Sequence, residues 1–155
     1  MDFTGQHVVI TGGSAGIGRA AAEKIVAAGG TVTLIARRPD VLAQTARELG
    51  PKACGIACDA GVKEELLAAL DRAIELGGPI DGLFLNAAAG GVFSLTADYP
   101  DEAMEEVLRI NVLSPFWAIR HQRQPSIASA ARRSIATRSD RRKPNPRLTK
   151  IPRGK

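Results

Sequence analysis

At 155 residues, with 45% apolar side chains, the chain has the length for one domain with its own core and little room for a second. It has no run of about 18 apolar residues, which excludes a spanning helix, and MDFTGQHVVITGG lacks the basic and apolar stretches of a secretory signal, so the cytoplasm is the expected location. The net charge of +5 hides a break: Met1–Trp117 carries 9 Lys/Arg against 15 Asp/Glu, whereas Ala118–Lys155 carries 12 against 1.

In chain order, HVVIT (His7–Thr11) reads as a strand stopped by glycine. Helical periodicity follows over Gly18–Gly29 and closes at Gly29–Gly30. Thr31–Arg37 is a second strand, and Asp40–Gly50 a second helix with Asp40 placed to cap it and Gly50–Pro51 to end it. Lys52–Asp59 is a third strand and Lys63–Gly78 a third helix. Asp81–Ala88 is a fourth strand whose unbroken apolar run predicts burial on both faces. Asp101–Ile119 is a fourth helix, interrupted near Pro115. Strict alternation of strands and helices with short connections predicts an α/β, doubly wound parallel sheet.

Cys54 and Cys58 stand four apart in the third strand, on one face, and read as two small buried thiols. A CxxxC spacing without a second pair or a nearby His weighs against a zinc site.

Beyond Ile119 the periodicity stops. Residues 120–155 combine charge of one sign with Pro-rich ends and little apolar content, which predicts a disordered basic tail beside a folded 1–119 domain. Such a tail defines a competing function, non-specific binding of anions or nucleic acid. The absence of stacking aromatics and of any reading module weighs against selected nucleic-acid recognition. The abrupt change looks like an out-of-frame or truncated reading of a gene.

The motif that carries chemistry is TGGSAGIG (Thr11–Gly18), set directly between the first strand and the first helix. Gly12 lets the chain turn off the strand, and Gly16 lets backbone approach a pyrophosphate. Gly18 lets the helix pack on the sheet, Ile17 lies between these two glycines, and Ser14 offers a hydroxyl to phosphate. The N–H groups and dipole of the helix start face the anion.

These residues resemble the TGxxxGxG cofactor motif of the short-chain dehydrogenase/reductase family, and further landmarks follow in order. Asp59 matches the family's adenine-contacting acid. Leu85–Ala88 (LNAA) is similar to its NNAG stretch, with Asn86 kept and Ala87 in place of the second Asn. Ile110–Phe116 (INVLSPF) matches the family's fourth-helix pattern, in which Asn111 takes the place of the active-site asparagine. The resemblance covers about residues 5–117 and implies a Rossmann-like sheet, cut short after the fourth helix. It also implies hydride transfer between a nicotinamide nucleotide and a carbonyl or alcohol.

The second strand ends Ile35-Ala36-Arg37-Arg38, with no carboxylate until Asp40. NAD sites place an acid there for the ribose 2′-hydroxyl, whereas an arginine suits a 2′-phosphate, so NADP is the expected cofactor and NAD the alternative. The resemblance also calls for a serine, a tyrosine and a lysine four residues after the tyrosine. A phenol with a pKa near 10 needs that cation to exchange protons at neutral pH. The sole tyrosine, Tyr99, precedes Asn111 and has no such lysine, so it reads as loop packing. The expected outcome is a nucleotide-binding fragment without independent catalysis, its fourth strand an exposed edge open to self-association.

Overall fold

The β-branched and apolar residues of HVVIT and TVTLIA form the two central strands, β1 (His7–Thr11) and β2 (Thr31–Ala36), in the computed structural model, which describes residues 1–122. Strands β3 (Ala53–Ala57) and β4 (Gly82–Leu85) flank them, and all pair in parallel in the order β3-β2-β1-β4. His7 stands opposite Thr31, and Val8 opposite Gly82.

Alternation along the strands feeds two cores. Val8 and Ile10 of β1 and Val32 and Leu34 of β2 pack against Ala22 and Ile25 of α1 (Gly16–Ala27) and Leu42 of α2 (Pro39–Leu49). Val9 and Ile35 face the other way, onto Leu66, Ala69, Leu70 and Ala73 of α3 (Lys63–Gly77) and Ala118 of α5 (Ser114–Gln122). A parallel sheet covered on both faces is the doubly wound arrangement that the alternation predicts. No described helix is long and apolar enough to cross a membrane.

Three expectations are corrected. The fourth strand is four residues rather than eight, and it is half-buried throughout because it stands at the sheet edge. Leu83 and Leu85 still pack on the α3 side and Phe84 on the α1 side, which explains the unbroken apolar run. Asp40 does not cap α2: Arg38 holds the cap position without a side-chain bond, Pro39 begins the helix, and Asp40 lies in its first turn. Pro at N1 costs nothing, since its missing N–H would have no helical partner.

The interruption expected near Pro115 is present, as a widened turn just before the proline rather than a break. The fourth helix runs as α4 (Asp101–Leu108), a π-helical segment (Arg109–Leu113) and α5, ending at Gln122. Pro115 cannot donate to the carbonyl four residues back, that of Asn111, and its ring crowds that oxygen; the widened π turn absorbs both effects. The thiols also differ: Cys58 is buried, whereas Cys54 is half-buried in edge strand β3.

Cys54 ends a polar chain within the sheet. The Gly78 carbonyl can only accept, so Nδ1 of buried His7 donates to it, at 3.0 Å. With a neutral ring, Nε2 then accepts from the Thr33 hydroxyl at 2.8 Å, and the Thr33 oxygen is left to accept from the Cys54 thiol at 3.2 Å. The readings of residues 123–155, disorder and anion binding among them, lie outside the described residues.

Candidate functional site

All four strands end at one edge of the sheet, and the segments that leave them line a cleft of about 440 Å³. Its walls include Gly12 and Ser14 after β1, Arg37 and Arg38 after β2, Asp59 after β3, and Asn86 and Ala87 after β4. The carboxyl ends of a parallel sheet are where such folds bind ligands. Seven of the eleven sequence-predicted residues therefore meet in one cavity, while Gly16, Ile17, Gly18 and Asn111 stand outside its lining.

Their positions explain why. Gly12 has φ +67°, a left-handed conformation, and a Cβ there would lie 3.0 Å from Asn86 Nδ2 and 3.1 Å from the Ala87 backbone. Gly18 lies beneath the loop: a Cβ would collide with the Gly12 carbonyl and come within 2.8 Å of Asn86 Nδ2. Close packing of α1 on the first turn thus requires glycine, as the motif predicts. Gly16 (φ +53°) and Ile17 are exposed at the start of α1, with open space around Gly16.

The start of α1 is open to an anion. Ala15 caps it without a side-chain bond, and Arg19 is the first residue to donate into the helix, onto the Ala15 carbonyl at 3.2 Å. Helices α2, α3 and α4 each carry a carboxylate in the first turn, whereas α1 carries none. Its leading N–H groups and dipole are left to an outside negative charge. The glycine-shaped turn and this open helix start fit a dinucleotide pyrophosphate.

Arg37 and Arg38 are both exposed at the cleft rim. Arg37 Nη1 stands 3.9 Å from Glu106 Oε1 of α4. Asp59 is half-buried; its Oδ1 accepts from the Gly61 amide at 2.8 Å, and its own amide donates to Glu65 at 3.0 Å. That turn carries Asp59 to the mouth of the cleft. Beside it lies a second cleft of about 350 Å³, walled by Asp59, Glu102, Glu105 and Glu106 with Arg109 and Ile110.

Sequence reasoning missed the residues that hold the walls together. The buried Thr11 hydroxyl accepts from the amides of Asn86 and Ala87, both at 3.1 Å, and so pins the end of β4 to the end of β1. The buried Thr45 hydroxyl of α2 lies between the Val41 carbonyl at 2.9 Å and the Ser14 carbonyl of the glycine turn at 3.1 Å, and its one proton is shared between them. Asn111, in the π segment, accepts from the Ala89 amide at 2.8 Å and donates to the Ala89 carbonyl at 3.0 Å. Tyr99 is half-buried, and its hydroxyl accepts from the Val92 amide at 3.3 Å, in keeping with loop packing. Cys58 lines the cleft, and burial, with help from the Glu65 and Asp59 carboxylates, pushes its thiol up to about 11. No group of three metal-ligating side chains occurs among the described residues.

A parallel sheet wound on both faces, with a glycine turn and an uncapped helix start above its carboxyl edge, defines a doubly wound α/β domain with its cleft at the carboxyl ends of the strands. The family profile described as short chain dehydrogenase matches residues 6–134, past Trp117 where the recognisable landmarks stop. The chain belongs to the short-chain dehydrogenase family.

A cis-2,3-dihydrobiphenyl-2,3-diol dehydrogenase of Paraburkholderia xenovorans is 32% identical over 124 residues, which is 77% of this chain and 45% of that protein. The structure of L-sorbose reductase from Gluconobacter frateurii, complexed with NADPH and L-sorbose, superposes with a TM-score of 0.73 at 30% identity, covering 78% of this chain and 47% of that one. A 3-ketoacyl-(acyl-carrier-protein) reductase from Brucella melitensis, complexed with NADH, gives 0.73 at 25% identity, covering 76% and 48%. The chain spans about half the length of these relatives.

Proposed function

We propose that residues 1–119 bind NADP(H) in the cleft above the sheet, as the nucleotide-binding half of an oxidoreductase that acts on a carbonyl or alcohol. The observation that carries this reading is the convergence of Gly12, Arg37, Arg38, Asp59 and Asn86 on one cavity beside the open start of α1. When bound, the nicotinamide would supply or take the hydride. The chain's own residues do the holding. The backbone around Gly16, Ile17 and Gly18 faces the pyrophosphate, with Ser14 beside it. Asp59 takes the adenine side. Asn86 and Ala87 form the wall beyond β4. Arg37 and Arg38 meet the 2′-phosphate, a match that a carboxylate in their place would reverse.

The proposal includes inactivity of the chain as it stands. Tyr99 is committed to the Val92 amide, and Asn111, the one catalytic landmark, holds the Ala89 backbone. The cytoplasm is the proposed location. Among the described residues β4 ends the sheet, and that edge offers a route to self-association. Anion or nucleic-acid binding through residues 120–155 is the competing reading, carried by their 12 to 1 excess of cations counted from Ala118.

Calorimetric titration of the full chain with NADPH and with NADH tests the reading. NADPH should bind about tenfold more tightly, and Arg37→Ala with Arg38→Ala should remove that preference while leaving NADH affinity nearly unchanged. Equal affinities in the wild type would sink the NADP assignment, and no heat with either nucleotide would sink nucleotide binding itself.

A further inference from the structure

The arginine that faces the 2′-phosphate in the reading above already has a partner, and that partner belongs to a different wall. Arg37 Nη1 lies 3.9 Å from Glu106 Oε1, with both side chains more than half exposed. Glu106 is one of four carboxylates, with Asp59, Glu102 and Glu105, that line the second cleft. The two clefts share Asp59 and Ile110, so this acidic wall is contiguous with the nucleotide cleft. A 2′-phosphate brings a charge of about −1.5 to −2 at pH 7 into that neighbourhood.

We propose that Glu106 is a selectivity residue: it competes with a 2′-phosphate for the Arg37 guanidinium and thereby limits the preference for the phosphorylated cofactor. The proposal rests on the nucleotide-binding reading. A guanidinium that turns its Nη1 edge into a two-pronged contact with phosphate gives up Glu106, and the carboxylate then faces a like charge. A nucleotide with a free 2′-hydroxyl meets neither cost. Arg38 has no ion pair among the described residues, so it is not subject to the same competition.

The test uses adenosine 2′,5′-bisphosphate and adenosine 5′-monophosphate as probes, titrated into the full chain at low salt. Glu106→Gln is isosteric and exposed, so the fold is not at stake. It should tighten the bisphosphate about fivefold, the scale of one exposed ion pair, and move the monophosphate by less than about twofold. Glu102→Gln removes the same charge from the same wall without touching Arg37 and should shift the bisphosphate by less than about twofold. In an Arg37→Ala background the effect of Glu106→Gln should vanish. The idea is overturned if Glu106→Gln leaves the bisphosphate unchanged, shifts both probes alike, or acts equally without Arg37. A wild type that binds neither probe defeats the nucleotide-binding reading, and the selectivity role with it. Binding of both probes with an inert Glu106→Gln defeats the selectivity role alone.

Discussion

Asn111 and Ala89 form a closed two-point contact: the side-chain oxygen accepts from the Ala89 amide at 2.8 Å and the side-chain nitrogen donates to the Ala89 carbonyl at 3.0 Å. The contact ties the loop that leaves β4 to the π segment of the last helix. Asn111→Ala should free that loop. Because the two hydrogen bonds are exposed, the global cost should be about 1 kcal/mol, with a far larger rise in amide exchange over residues 87–91. Asn111→Asp keeps the acceptor and sets a carboxylate against the Ala89 carbonyl, so it should fall on the side of the alanine variant. Unchanged exchange in both variants would remove the tether.

The glycines of the turn should separate by mechanism. Gly18→Ala drives a Cβ into the Gly12 carbonyl and against Asn86, so it should cost about 3 kcal/mol and abolish nucleotide binding. Gly16→Ala meets open space and pays only for its left-handed φ of +53°, about 1 kcal/mol. Urea denaturation compares them, and equal losses would contradict this assignment.

Thr11→Val keeps shape but removes the acceptor for the Asn86 and Ala87 amides, leaving two donors unpaired at the sheet edge. The expected loss is about 2 kcal/mol, more than a conservative swap usually costs. Thr11→Ser keeps the oxygen and should recover most of it. A valine variant as stable as wild type would contradict the clamp.

Cys58 makes stability depend on alkaline pH. Burial, then Glu65 and Asp59, raise its thiol from an ordinary 9.0 to about 11 in the folded chain. Between those values the folded state keeps a proton that the unfolded state has released. The contribution is therefore fully present below pH 9 and is lost as pH rises toward 11, on the order of 2 kcal/mol in all. Cys58→Ala should flatten that part of the stability profile. The thiol should also resist iodoacetamide at pH 8 until the chain is unfolded. Rapid labelling in the folded state would be incompatible with its burial.

Much of the site is legible in the sequence because its signals are local. Gly12, Gly16 and Gly18 sit at fixed offsets from β1, the arginine pair ends β2, and Asp59 follows β3, so alternation alone carries them to one edge of the sheet. What escapes are pairings across the fold. Thr11 meets Asn86 over 75 positions, Thr45 meets Ser14 over 31, and Asn111 meets Ala89 over 22. No periodicity encodes such contacts. The half-burial of β4 was hidden because an apolar run reads as central even where a neighbouring strand covers only one side. Pro115 is visible as a disturbance, but whether a helix breaks there or widens into a π turn depends on packing such as that of buried Ile110, Ser114 and Ala118.

Hydrogen exchange of the full chain with and without millimolar NADPH tests the central claim most directly, because it reads binding and its place together. Bound nucleotide should slow exchange over Gly12–Arg19 and around Arg37–Arg38 and Asp59–Gly61, the segments above the carboxyl edge of the sheet. Protection confined to residues 123–155, or no protection anywhere, would contradict a nucleotide site built on the glycine turn.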